Sequence, residues 1–152
     1  MVKPIPDGYS SITPYLVFED AKSAIDFYGK AFGAQELFRM PMGDRIGHAE
    51  MQIGNSRIML ADEAPQRDFY GPKHHNGSPI SLMLYVDDVD AFTKKAIATG
   101  VKVLQPVKDQ FYGDRTYRAR DPEGHNWTFG QNIREVSEED MEAATGLKVE
   151  YR

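Results

Sequence analysis

The chain has 152 residues, with 18 lysine and arginine residues against 23 aspartate and glutamate residues, which gives a formal net charge of −5. Its length and its 41% of hydrophobic residues predict one globular domain, residues 1–152. The absence of cysteine excludes disulfides, thiol nucleophiles and cysteine-ligated metals, and the acidic balance argues against a nucleic-acid partner. The chain contains neither an apolar run of membrane-spanning length nor a secretion signal, so we expect a cytoplasmic protein without a membrane partner.

The first predicted unit, residues 11–61, begins with a strand and a helix. Alternating apolar residues predict a strand over 12–18, and Asp20 is a suitable N-cap for a helix that ends at Gly33. Three shorter strands follow, separated by turns at Gly43 and Gly54; we place them at 36–40, 46–53 and 57–61. The unit therefore has the order βαβββ.

A loop is predicted next, over residues 62–79. It contains three proline and two glycine residues, and it is long enough to have a function of its own. We interpret the adjacent His74 and His75 as surface residues of this loop, because neighbouring side chains in a polar loop point apart.

The second predicted unit, residues 80–132, repeats the first. Leu16-Val17-Phe18-Glu19-Asp20 resembles Leu84-Tyr85-Val86-Asp87-Asp88, and two further matches follow at nearly the same offset. The repeat predicts a strand over 80–86, a helix over 88–99 that stops at Gly100, and strands over 102–104, 115–120 and 126–131. A short C-terminal helix, 137–145, follows its cap Ser137. The fold class is therefore α+β, with tandem βαβββ repeats.

Two stretches of this repeat resemble the vicinal oxygen chelate superfamily. They are Ala24-Ile25-Asp26-Phe27-Tyr28 with Phe32-Gly33, and Asp121-Pro122-Glu123-Gly124-His125-Asn126-Trp127. The superfamily includes glyoxalase I, extradiol dioxygenases, and fosfomycin- and bleomycin-resistance proteins, and the chain looks most like its small PhnB-like members. The resemblance covers residues 11–132 and implies a curled mixed sheet around a cup, the glyoxalase/bleomycin-resistance fold.

The resemblance also implies where a metal would be held in that cup. Metal-dependent members take His or Glu ligands from the first and last strand of each unit. Those positions fall here on Thr13, Met59, Ser81 and Thr128. Hydroxyl and thioether groups make a poor site for zinc, nickel, iron or manganese, so we predict no metal and no other cofactor. Glyoxalase and dioxygenase chemistry would then lack its metal.

Strand alternation indicates what lines the cup instead. If Met59 faces the cup, so do His48 and Glu50, which we treat as candidate catalytic residues. The candidate ligand-binding residues are Tyr15, Arg57, Met59, Met83, Tyr85, Arg118 and Arg120. An alternative is that His48 and Glu50 form a structural ion pair with Arg118 or with a partner subunit.

Three functions remain open from the sequence. The first is binding of a small organic molecule, planar or amphipathic and bearing an anionic group, in a metal-free cup. The second is a metal-independent lyase or isomerase that uses Glu50 or His48 as general base and Arg118 as anion anchor. The third is an assembly module with a vestigial cup. We expect a homodimer, with the modules paired within one chain or exchanged between two.

Overall fold

The computed structural model describes residues 2–152, and its elements follow the order βαβββ twice. The first module contains β1 (Tyr15–Phe18), α1 (Ala21–Phe32), β2 (Gln35–Met42), β3 (Arg45–Ile53) and β4 (Ser56–Asp62). A linker with one 3₁₀ turn (Pro65–Arg67) leads to the second module, which contains β5 (Ser81–Tyr85), α2 (Val89–Thr99), β6 (Lys102–Asp109), β7 (Asp114–Arg120) and β8 (Asn126–Asn132). Helix α3 (Glu138–Thr145) follows.

Each module forms its own four-stranded mixed sheet. The strand order is β1-β4-β3-β2 in the first sheet and β5-β8-β7-β6 in the second. The first strand of each module runs parallel to the last, and the other neighbours are antiparallel. The α+β class with tandem βαβββ repeats is confirmed.

The helix ends are made by the residues that the sequence indicates. The Asp20 carboxylate accepts a hydrogen bond from the Ser23 backbone N–H, and Asp88 does the same for Ala91. These bonds satisfy backbone donors that have no partner inside the first turn of a helix. Gly33 ends α1 in the left-handed conformation, at φ 67°.

The edge strands β2 and β6 are longer than predicted, whereas β1, at the opposite edge of the first sheet, is shorter. Strands β2 and β6 continue through Pro41 and Pro106. A proline is tolerated there because an edge strand leaves one side without ladder hydrogen bonds. Strand β1 begins at Tyr15 rather than at residue 12, and Ile12 is 85% exposed.

One apolar core joins the two modules. Helix α1 packs on its own sheet, and its Phe32 also contacts Trp127 and Phe129 of β8, with ring centroids 5.2 and 4.9 Å apart. Phe92 of α2 stacks on the same Phe32 at 6.0 Å. The helix-bearing faces of both sheets therefore meet in this core, and the opposite faces point away from it.

A buried polar cluster fixes how the modules meet. The Tyr28 hydroxyl donates to the Asp121 carboxylate at 2.6 Å and accepts from the Trp127 indole N–H at 3.2 Å. His125 Nε2 lies 2.9 Å from the Val17 carbonyl oxygen. Burial and the Asp121 carboxylate raise the pKa of Tyr28 well above the ordinary tyrosine value. These bonds give the intermodule packing a defined orientation.

The longest helix, α1, has 12 residues, and within residues 2–152 no helix combines the length and apolar character needed to cross a bilayer.

Candidate functional site

The outer face of the first sheet is built by strand alternation. Ala49, Met51 and Leu60 point to the core and are at most 1% exposed. Their neighbours along β3 and β4 therefore point to the other side of the sheet. The strand register places two of these residues, Met59 and Glu50, in one row with Tyr15 of β1 and Phe38 of β2. We call this surface the first outer face and define it by Tyr15, Phe38, His48, Glu50 and Met59.

A chain of hydrogen bonds crosses this face. Tyr15 Oη lies 2.7 Å from His48 Nδ1, and His48 Nε2 lies 3.1 Å from Glu50 Oε1. The Tyr9 hydroxyl donates to the other carboxylate oxygen, Oε2. Glu50 is only 5% exposed, so these contacts supply the partners that a buried carboxylate requires. The structure thus brings the two candidate catalytic residues together and adds a tyrosine on each side.

Aromatic rings surround this chain of hydrogen bonds. The Tyr15 ring meets Phe69 edge to face at 5.4 Å, and Phe38 lies 5.8 Å from the His48 ring. Tyr15 and Phe38 nevertheless keep 42% and 45% of their surface exposed. The face therefore offers planar apolar surface above a polar centre.

Burial sets the protonation of two groups on this face. Desolvation lowers the pKa of the His48 imidazole below the ordinary histidine value, despite the neighbouring Glu50. Desolvation also raises the pKa of the Tyr15 phenol, although Arg67 partly opposes this effect. Near neutral pH, His48 is therefore a neutral acceptor and Tyr15 keeps its proton.

The N-terminal segment covers one end of the face. The Arg57 guanidinium lies 4.6 Å from the centre of the Tyr9 ring. A β-carbon at Gly8 would come within 2.6 Å of that guanidinium, and Gly8 has a φ of 84°. The positive φ favours glycine at this position, whereas the guanidinium lies at the end of a flexible side chain and could move away from a β-carbon. Arg57 is thus held under residues 8–9 at the border of the face.

The second sheet has an equivalent outward surface with different chemistry. Its register row contains Met83, Thr128, Arg118 and Gln105. We define the second outer face by Met83, Tyr85, Arg118 and Thr128. Met83 and Tyr85 are 43% and 60% exposed, and Arg118 is also exposed. The Tyr85 hydroxyl donates to Asp114 at 2.8 Å.

The candidate residues thus fall into two groups. Within one chain Glu50 pairs with His48, while Arg118 lies on the other sheet and the two do not meet. Arg120, also on the second sheet, donates from Nε to Asn126 Oδ1 at 3.0 Å. Their proposed ligand-binding and catalytic roles stay predictions.

The positions that the resemblance assigns to metal ligands do not fit a transition metal. Thr13 precedes β1, and its hydroxyl donates to the Ser10 carbonyl at 3.2 Å. The register pairs Tyr15 with Met59 and Met83 with Thr128. If the ligand positions on the first strands are moved by two residues, from Thr13 to Tyr15 and from Ser81 to Met83, they supply only a phenol and a second thioether. These are weak ligands for zinc, nickel, iron or manganese. Among residues 2–152, no group of three His, Cys, Asp or Glu side chains is arranged to hold an ion.

Sequence reasoning missed three residues near the candidate site. Phe38 could have been found by extending the alternation of β3 to its neighbour β2. Tyr9 and Phe69 lie outside the regular elements, in the N-terminal segment and the linker, where no periodicity indicates their direction. Their positions depend on tertiary contacts alone.

Comparisons with known proteins agree with this fold. The sequence model of the Glyoxalase/Bleomycin resistance protein/Dioxygenase superfamily matches residues 11–129. The uncharacterized protein Mb0911c of Mycobacterium bovis is 41% identical over 138 residues, which cover 88% of this chain and 91% of that protein.

Two solved structures show the same architecture. TioX from Micromonospora sp. ML1 has a TM-score of 0.64 at 27% identity, over 82% of this chain and 99% of TioX. A PhnB protein from Bacillus cereus has a TM-score of 0.63 at 19% identity, over 80% of this chain and 99% of that chain. At 19% identity, the similarity to the PhnB protein shows only that the two chains share a fold.

Proposed function

Because the chain belongs to the Glyoxalase/Bleomycin resistance protein/Dioxygenase superfamily, we propose that it binds a small organic molecule in a metal-free cup. The first outer face is one wall of this cup. The observation that carries the proposal is the exposed aromatic surface of Tyr15 and Phe38 around the buried Glu50 carboxylate. Small-molecule sites combine apolar walls with a few placed polar groups in this way. A planar, amphipathic molecule suits such a surface best.

The second outer face of another copy completes the cup in this proposal. Both outer faces point away from the shared core, so the two faces of one chain do not enclose a common space. Arg118 occupies the register position in the second sheet that Glu50 occupies in the first. Pairing unlike faces therefore brings an arginine opposite a carboxylate, and it covers exposed apolar side chains on both sheets. The oligomer we propose is a homodimer with exchanged modules.

In this dimer Arg118 of the partner subunit anchors an anionic group of the ligand. A guanidinium offers a planar fork that matches a carboxylate or phosphate. Met83 and Tyr85 of the same face supply apolar contacts, while Arg57 and Arg120 lie at the borders of their sheets. The cup then has a carboxylate wall and a cationic wall, and it selects for molecules with one anionic end.

A second candidate function is metal-independent proton transfer, as in a lyase or isomerase. The observation that favours it is the hydrogen-bonded cluster of Tyr15, His48 and Glu50. A carboxylate that orients an imidazole is the arrangement by which enzymes prepare a general base. Partner Arg118 would then stabilise the anion formed by proton removal.

An equilibrium titration with anilinonaphthalene sulfonate, a planar aromatic anion, tests the binding proposal. We expect saturable binding that Phe38→Ala weakens about tenfold, because losing one aromatic contact removes about 1.4 kcal/mol or more. Arg118→Ala should weaken binding by a similar factor through loss of the anion anchor.

Ile97→Ala is the matched control. Ile97 is 48% exposed on α2, away from both outer faces, and its replacement should leave the affinity unchanged. Equal losses in the Phe38 and Ile97 variants would mean that the dye binds non-specific apolar surface, and the proposal would then be wrong.

A further inference from the structure

The hydrogen-bonded cluster leads from the interior of the protein to its surface. Its inner end is Glu50, which is 5% exposed, and its outer end is Tyr15, which is 42% exposed. His48 lies between them and contacts both, at 3.1 Å from Glu50 Oε1 and 2.7 Å from Tyr15 Oη. The His48 side chain is 23% exposed, so Tyr15 is the member of this cluster that is most open to the cup.

The direction of each hydrogen bond follows from the chemistry of the groups. As a carboxylate, Glu50 can only accept, so the Nε2 atom of His48 must carry the imidazole proton. The Nδ1 atom of a neutral imidazole is then an acceptor, and the Tyr15 hydroxyl donates to it. Tyr9 donates to the second oxygen of Glu50. Both carboxylate oxygens and both imidazole nitrogens thus have partners inside the chain.

We propose that Tyr15, rather than Glu50 or His48, exchanges a proton with the bound molecule. His48 is the base behind it, and Glu50 orients the imidazole and stabilises its charged form. This inference rests on the second proposed function, proton transfer, and names its reacting group. Of the three residues, Tyr15 alone combines an exposed ring with an oxygen that has a free lone pair for the ligand.

The bound molecule, Tyr15 and His48 together account for every proton in the proposed transfer. An acidic O–H, or a C–H next to a carbonyl group, of the bound molecule gives its proton to the Tyr15 oxygen. The phenolic proton passes at the same time to His48 Nδ1. The products are the enolate or alkoxide of the bound molecule and an imidazolium paired with Glu50. Return of the proton to a different atom isomerises the molecule, so the substrate class is planar carbonyl compounds that form an enolate.

The resting protonation states support this assignment. Burial lowers the pKa of His48, so its Nδ1 atom is free to accept at neutral pH. Burial raises the pKa of Tyr15, so the phenol holds its proton until the imidazole takes it. The arrangement follows the logic of a carboxylate, imidazole and hydroxyl triad with a phenol in the outer position.

Modification by benzenesulfonyl fluoride tests the inference without a substrate. The Tyr15 oxygen forms a bond to sulfur, the S–F bond breaks and fluoride leaves, and the phenolic proton passes to His48. Tyr112 is the internal control, because it is also 42% exposed and packs on Phe111 rather than on a histidine. Mass spectrometry should show that Tyr15 is modified at least tenfold faster than Tyr112. This factor is smaller than the rate increase that a general base usually supplies.

Two histidine variants separate activation from exposure. His48→Gln should slow the modification of Tyr15 about tenfold or more and leave Tyr112 unchanged. His74→Gln removes an exposed linker histidine and should change neither rate. Equal modification rates at Tyr15 and Tyr112 in the unmutated protein would overturn the inference. A modification rate at Tyr15 that is unchanged in His48→Gln would also overturn it.

A second measurement needs no variant. Nitrogen chemical shifts of the His48 ring should identify the tautomer with its proton on Nε2, and a proton on Nδ1 would contradict the proposed relay. The dye titration distinguishes the two proposals. If dye binding is specific but Tyr15 is not activated, the relay is wrong and the binding function stands. If Tyr15 is activated without specific dye binding, the relay stands and the binding function fails.

Discussion

Glu50 shows how one buried side chain can organise a surface. Its carboxylate is removed from water, and an isolated buried charge costs several kcal/mol, on the order of the whole stability of a small domain. His48 and Tyr9 offset this cost by bonding one oxygen each. Their rings are then held in one orientation, and the orientation of His48 in turn sets that of the Tyr15 hydroxyl.

The lowered pKa of His48 predicts a pH dependence of stability. The unfolded chain binds a proton at this histidine more readily than the folded protein does, so the free energy of unfolding falls as the pH drops through about 6.5. His48→Gln should reduce this loss, measured by chemical denaturation between about pH 7 and pH 5. His74→Gln should behave like the unmutated protein, and identical slopes in the two variants would contradict the assignment.

The side chains at the family's metal positions predict the metal content. We expect the purified protein to contain no stoichiometric transition metal, because Thr13, Met59, Ser81 and Thr128 supply no imidazole or carboxylate. Elemental analysis after dialysis measures this directly. About one zinc, nickel, manganese or iron ion per chain would contradict the prediction and turn attention to His48 and Glu50.

At the residue scale, the sequence predicts which face of a sheet a side chain occupies better than it predicts the hydrogen-bond partners of that side chain. Alternation in β3 and β4 correctly separates the core residues Ala49, Met51 and Leu60 from the outward His48 and Glu50, because a strand has a strict period of two. The Tyr9 contact with Glu50 could not be predicted, since it depends on how an irregular segment folds back over the sheet.

At the scale of elements, capping and edge position decide where helices and strands end. The ends of α1 and α2 follow from Asp20, Gly33, Asp88 and Gly100, whose local chemistry is independent of the tertiary fold. The extent of β2 and β6 does not follow from sequence, because Pro41 and Pro106 are acceptable only on an edge strand. Which strand forms the edge is a property of the assembled sheet.

Two glycine substitutions, one within α1 and one at its C-cap, test how this helix is stabilised. Gly29→Ala should stabilise the protein by about 0.5–1 kcal/mol, because Gly29 is in the helix interior and a β-carbon there would lie 3.6 Å from the Ala34 carbonyl oxygen. Gly33→Ala should destabilise it by about 1 kcal/mol, because Gly33 adopts a φ of 67°. Thermal or urea denaturation measures both changes, and effects of the same sign would contradict the prediction.

At the scale of the molecule, the helix-bearing faces of the two modules meet and the outer faces stay open. The repeat predicts two equal modules, but it does not predict which surfaces they share. That choice depends on packing between Phe32, Trp127 and Phe129, and on the Tyr28–Asp121 hydrogen bond. The residues predicted to line one cup consequently lie on two separate surfaces of the chain.

The proposed exchange of modules predicts a dimer in solution. Sedimentation velocity at micromolar concentration should give twice the 17.2 kDa mass of one chain. Met83→Lys places a charge on the second outer face and should shift the equilibrium to monomer, because burying an unpaired ammonium is costly. Ile97→Lys, on the exposed side of α2, should leave the dimer intact. A monomeric unmutated protein would rule out the two-copy cup.

In the proposed function, a small organic molecule binds on the first outer face against the second outer face of a partner. Amide chemical-shift mapping during titration with anilinonaphthalene sulfonate tests it most directly. We predict saturable shifts around Tyr15, Phe38, His48 and Glu50, together with shifts around Arg118. Shifts confined to the linker or to the helices, with the amides of both outer faces unchanged, would contradict it.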